Sequence, residues 1–139
     1  MDGRAVLVVA KELAQRPTEA HWRAAAGRAY YALLLEGWNA LLRWGFTVLA
    51  RQPIYIFVRW RFDYGSDPLL QKTGRSLDSL SWLRNQADYH LTSPGPFIDP
   101  RQIHQGIRVA EGGVFDLDQL EADPPRRAAA IAGIRAKFP

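Results

Sequence analysis

Between Thr18 and Gly45 the chain carries no proline and places apolar residues at helical spacing throughout. Trp22, Ala26, Ala29, Leu33, Gly37, Ala40 and Trp44 follow one another in steps of three and four. Tyr30, Leu34, Trp38 and Leu41 form a second, adjacent stripe. An apolar face this wide needs several neighbours to cover it, so the segment reads as the central helix of an all-helical core. Pro17 precedes it, Thr18 can accept from its first turn, Glu19 suits its positive end, and Gly45 is a plausible stop.

The rest of the chain offers partners of the same kind. Ala5 to Gln15 has a short helical pattern. Ile54 to Phe62, IYIFVRWRF, is β-branched and aromatic, which is strand-like by propensity. No second strand signal exists to pair with it, so a helix or irregular packed segment is the better reading. Tyr64 to Pro68 is a turn. From Leu69 to about Tyr89 the residues Thr73, Leu77, Leu80, Leu83 and Ala87 share one face. Thr92 to Pro96 is a break. A further helix is expected from about Pro100 to Ala110, interrupted at Gly112-Gly113, with Asp116 or Asp118 capping a short continuation. Asp123 with Pro124 and Pro125 starts a last helix through Lys137. The expected fold is therefore all-α, a single domain over residues 1–139, built as an antiparallel bundle of about four to five helices.

Composition narrows the function classes. The chain contains no cysteine, which excludes disulfides, thiolate metal sites and a cysteine nucleophile. His21 and His104 are solitary, and the acidic residues Asp116, Asp118 and Glu121 lack calcium-loop spacing, so no metal site is expected and the three carboxylates read as capping and surface charge. No cofactor motif is present. Lys and Arg number 18 against 14 Asp and Glu, a formal charge of +4, which permits an RNA or phosphate partner. The apolar run Ala5 to Ala10 is too short for a secretory signal, and Tyr30 to Ala50 is broken by Glu36, Asn39 and Arg43. A soluble, cytoplasmic protein is expected.

One residue stands against the pattern. On the helix from Leu69, Arg84 lies ~40° from Leu80, inside the apolar stripe. A guanidinium there needs a partner or a cleft. It can pair with Asp88 one turn on, or line a groove or a dimer seam. His90 follows, and on an unbroken helix it would sit ~120° from Arg84; an unwinding last turn before Pro94 could bring the two closer. Such a pair is competent for RNA cleavage: histidine moves the proton of a 2′-OH or of the leaving oxygen, and arginine holds the phosphate.

Two segments together resemble the HEPN domain (higher eukaryotes and prokaryotes nucleotide-binding). His21 to Gly37, HWRAAAGRAYYALLLEG, is similar to that family's Arg-x-Ala-x-x-Arg-Ala-Tyr-Tyr-Ala helix, with Arg23, Arg28, Tyr30, Tyr31 and Ala32 at the most recognisable positions. Leu83 to His90, LRNQADYH, is similar to its Leu-Arg-Asn-x-Ala-Asp-Tyr stretch. The resemblance covers roughly residues 5 to 135. It implies a compact helical bundle, often a homodimer, with many members acting as metal-independent ribonucleases. Their Arg-x(4 to 6)-His motifs meet at the dimer seam. It further implies a place in a toxin–antitoxin or defence module, often beside a nucleotidyltransferase-type antitoxin. Carried over, Arg84, Asn85 and His90 would be catalytic, with Arg23, Arg28, Tyr31, Asp88 and Tyr89 the candidates for contact with RNA or nucleotide. Members without the histidine imply the alternative, a catalytically silent module that binds nucleotide, RNA or a nucleotidyltransferase. In this chain five residues separate Arg84 from His90, and Tyr89 holds the place of the commoner spacing.

Two further readings are local. Tyr30 and Tyr31 sit on the wide central face and are expected in the core, one hydroxyl finding a partner, with base stacking in an RNA groove a secondary role. Arg51, Arg59 and Arg61 interleave with Tyr55, Phe57, Trp60 and Phe62, a combination suited to an RNA contact or a partner surface.

Overall fold

The computed structural model describes residues 1–139 and is all-helical. The elements are α1 (Gly3–Ala14), α2 (Glu19–Arg43), α3 (Ile54–Asp63), α4 (Pro68–Tyr89), α5 (Arg101–Glu121) and α6 (Pro124–Lys137), with one 3₁₀ turn at Gly95–Phe97. Six helices form where about four to five were expected, because Ile54–Asp63 takes the helical option. No helix is long and apolar enough to cross a membrane.

Local chemistry sets the helix ends. Asp2, Thr18, Asp67 and Asp123 each accept a hydrogen bond from a first-turn backbone N–H of the helix they precede. Gly45 sits at φ +90°, a conformation that favours glycine. There the Gly45 N–H donates to Leu42 O and the Phe46 N–H to Leu41 O, both at 3.0 Å, which closes α2 with a Schellman motif.

Helix α2 is the hub, packed by α1, α3, α4 and α5. Gly3 donates to Glu36 while Trp22 donates to Arg16 O, so α1 runs antiparallel to α2. Arg23 reaches Gln86 and Arg84 overlies Tyr30, so α4 also runs antiparallel to α2. The ion pairs Arg4–Asp118 and Lys11–Glu111 set α5 antiparallel to α1. One contiguous core takes residues from all six helices, among them Leu33, Leu41, Phe57, Phe62, Leu77, Ile103 and Ile134. The stripe Thr73, Leu77, Leu80, Leu83 and Ala87 is buried as expected.

The expected interruption at Gly112-Gly113 does not occur: α5 runs unbroken through both. A Cβ at Gly113 would stand 2.6 Å from Leu33 Cδ1, so the glycine lets α5 lie close against α2. That packing outweighs the glycine's weak helix propensity. The acidic residues beyond it do not cap a new helix. Asp116 is buried and pairs with Lys72 at 3.0 Å, Asp118 pairs with Arg4, and Glu121 accepts from Trp44 Nε1 at 2.9 Å and from Arg43 at 3.1 Å. These carboxylates tie helices together.

Candidate functional site

The last two turns of α4 face the first half of α2, and the residues singled out by sequence gather on this seam. Arg84 is half-buried, its side chain 26% exposed. Its guanidinium lies over two rings, 5.6 Å from the centroid of Tyr30 on α2 and 5.8 Å from that of Tyr89 on its own helix. Nε stands 3.0 Å from Asp88 Oδ2, and Nη1 donates to Asn85 Oδ1 at 3.3 Å. Nη2 makes no hydrogen bond within the chain. The position inside the apolar stripe, which the wheel gives, is what places the side chain against Tyr30. Burial pulls the Arg84 pKa down, but Asp88 and the tyrosines at 31, 89 and 30 more than offset it, so the value is raised and the cation is permanent.

The tyrosines divide the seam by depth. Tyr30 is buried and packs edge-on against Tyr31, centroids 5.3 Å apart, and at 6.2 Å from Tyr55 on α3. Burial pushes its phenol up to about 12, with Arg84 pulling the other way, so Tyr30 stays neutral and is no base at ordinary pH. Tyr31, expected in the core, is exposed instead, as is Tyr89. Arg28 is exposed, has no carboxylate partner, and holds its guanidinium 5.8 Å from the Tyr31 centroid. Tyr55, which sequence reasoning did not place here, joins through α3 and donates to Asp78 Oδ1 at 3.1 Å.

His90 is brought to the same end of α4 but not into the cradle. It is the residue after the helix, at φ −109° and ψ 76°, and is exposed. Its backbone N–H donates to Gln86 O at 3.3 Å, and no bond joins its ring to Arg84.

Arg23 belongs to the fold. Its guanidinium donates to the carbonyls of Gln86 and Ala87, each at 3.0 Å, and of Ser93 at 3.1 Å. It also pairs with Glu19 at 2.8 Å and lies 4.6 Å from the Phe97 centroid. With no basic residue in the last turn of α4, Arg23 supplies from α2 the donors that the helix end needs. Arg23, a candidate for RNA or nucleotide contact, is thus a clamp on α4 and the segment after it.

The interleaved patch from Arg51 to Phe62 does not form one surface. As a helix, α3 turns Phe57, Arg61 and Phe62 into the core and leaves Trp60 outside. Arg59 pairs with Asp63. Nowhere do three or more His, Asp or Glu side chains converge, and the groups that do gather at the seam are cationic and aromatic.

Compared with models of known protein families, with curated proteins and with solved structures, the chain matches none.

Proposed function

We propose that the α2–α4 seam binds RNA and that the chain is a metal-independent endoribonuclease of HEPN type. The observation that carries this reading is the Arg84 cradle. A permanent guanidinium is held between Tyr30 and Tyr89, tethered by Asp88, with one terminal nitrogen unpartnered and the exposed Tyr31 and Tyr89 on the same seam. Arginine suits a phosphate's oxygens, and exposed rings suit unstacked bases. Arg28 adds a second cation at the rim.

In the proposed reaction His90 takes the proton from a ribose 2′-OH. That oxygen attacks phosphorus, Arg84 stabilises the charge on the non-bridging oxygens, and Asn85 orients Arg84. The bond to the 5′-oxygen breaks and that oxygen takes up a proton. The products are a 2′,3′-cyclic phosphate and a 5′-hydroxyl. Because His90 stands outside the cradle of its own chain, a second copy would supply it across a homodimer seam. A nucleotidyltransferase-type antitoxin in the cytoplasm is the partner that the resemblance implies.

The same separation of His90 from Arg84 favours a second reading, a catalytically silent module that binds RNA or nucleotide. Incubation with RNA in EDTA separates the two. Cleavage to cyclic-phosphate ends, lost in both Arg84→Ala and His90→Ala and kept in Tyr89→Phe, supports the nuclease. RNA bound and left intact by the wild-type chain sinks it in favour of the silent module.

A further inference from the structure

At the far end of the bundle a second arginine lies in the opposite electrostatic situation. Arg61 on α3 is buried, 7% exposed, yet no carboxylate lies within ion-pair distance. Its guanidinium is sandwiched between the rings of Phe57, 4.1 Å from the centroid, and Phe138, at 4.7 Å. Nη1 donates to Phe57 O at 3.2 Å, and Nε is buried without any partner. A buried cation without a counter-charge is costly, and natural folds pair such groups or use them on a ligand.

Arg61 lines a cavity of about 370 Å³ between the end of α2, α3 and the end of α6. Arg135 and Lys137 line it too, and no Asp or Glu does. Arg135 is held in place by a 3.0 Å bond to Trp44 O and by stacking 4.6 Å over Phe46, and it also lacks a carboxylate partner. Lys137 is exposed at the rim and makes no ion pair, and Thr47 adds a hydroxyl. The volume falls in the span of small-ligand sites, roughly 300–1,000 Å³.

We propose that this cavity is a binding site for a small phosphate monoester, with Arg61 and Arg135 gripping the phosphate oxygens and Lys137 closing over them. A phosphate dianion supplies the missing counter-charge, and the planar guanidinium fork matches its oxygens. The site is separate from the Arg84 cradle and does not rest on it.

Thermal unfolding and calorimetric titration test the proposal, using inorganic phosphate, adenosine monophosphate and, as the unphosphorylated control, adenosine, at ionic strength matched with sodium chloride. Phosphate and the monophosphate are expected to stabilise the chain, and adenosine is not. Arg61→Met and the surface variant Lys137→Ala should each weaken binding by about tenfold or more, as loss of a charge-assisted contact does. Arg84→Ala should bind as wild type. Absence of binding by the wild-type chain overturns the proposal, as does binding that persists in both cavity variants. Binding lost only in Arg84→Ala would move the anion to the α2–α4 seam and equally overturn it.

Discussion

Arg84 and Arg61 are both held between two aromatic rings, and they differ in what meets their charge. Arg84 has Asp88 at 3.0 Å and its pKa is raised. Arg61 has no carboxylate, and burial lowers its pKa. Ring stacking is therefore common to both places and does not decide what each can do. The compensated arginine sits at a half-open seam, its charge already met within its own helix. The uncompensated one sits in a cavity that no Asp or Glu side chain lines. Arg23 is the third case: a ring beneath it, and its donors committed to carbonyls and Glu19.

The largest expected effect tests the compensated site. On the nuclease reading, Arg84→Ala lowers RNA cleavage about 10²–10³-fold, the usual cost of removing one group that stabilises developing charge. Its stability should fall by no more than about 1 kcal/mol, since the tether to Asp88 is a half-exposed pair. Arg23→Ala should reverse that profile. It removes the donor from the carbonyls of Gln86 and Ala87 in the last turn of α4 and of Ser93 beyond it, and lowers stability by about 2 kcal/mol in urea denaturation. If Arg23→Ala is as stable as wild type, the division between fold arginine and site arginine fails.

How much of this was legible in the sequence depends on the distance between partners. Arg84, the stripe it interrupts and its partner Asp88 one turn on lie within a few turns of one helix, so periodicity alone placed them. Arg23 meets Gln86, Ala87 and Ser93, which are 63, 64 and 70 residues away, and no local pattern announces such a clamp. Gly112-Gly113 carries a true local signal for a break, overridden by the approach of Leu33 from another helix. Arg61 lies among aromatics that the sequence plainly shows, but which face of α3 turns inward is set by α4 and α2. The separation of His90 from Arg84 follows from the ~120° between them on one helix, whereas the packing of the two motif segments against each other and the inclusion of Tyr55 depend on tertiary placement.

Arg61→Met sharpens the contrast from the other side. It replaces an uncompensated buried cation with an apolar side chain of similar length. In phosphate-free buffer the variant should match wild type or exceed it by about 1 kcal/mol in urea denaturation. A loss beyond about 2 kcal/mol would show that the bond to Phe57 O and the ring sandwich outweigh the missing counter-charge.

The smallest effect concerns the ring beneath Arg84. The Tyr30 hydroxyl makes no hydrogen bond in the chain, so Tyr30→Phe keeps the packing and the cation–π face and should alter stability at pH 7 by less than about 0.5 kcal/mol. Its signature lies at high pH. The unfolded phenol loses its proton near 10.0, while the buried one holds it to about 12. Stability tied to the neutral phenol is complete below pH 10.0 and drains away as pH rises towards about 12. Tyr55, whose pKa burial and its bond to Asp78 also raise, contributes in the same direction and remains in the variant. Denaturation midpoints measured from pH 9 upwards should therefore fall less steeply in Tyr30→Phe than in wild type. Parallel curves would mean that the phenol under Arg84 ionises as freely as in the unfolded chain, and that the guanidinium, rather than burial, sets its charge.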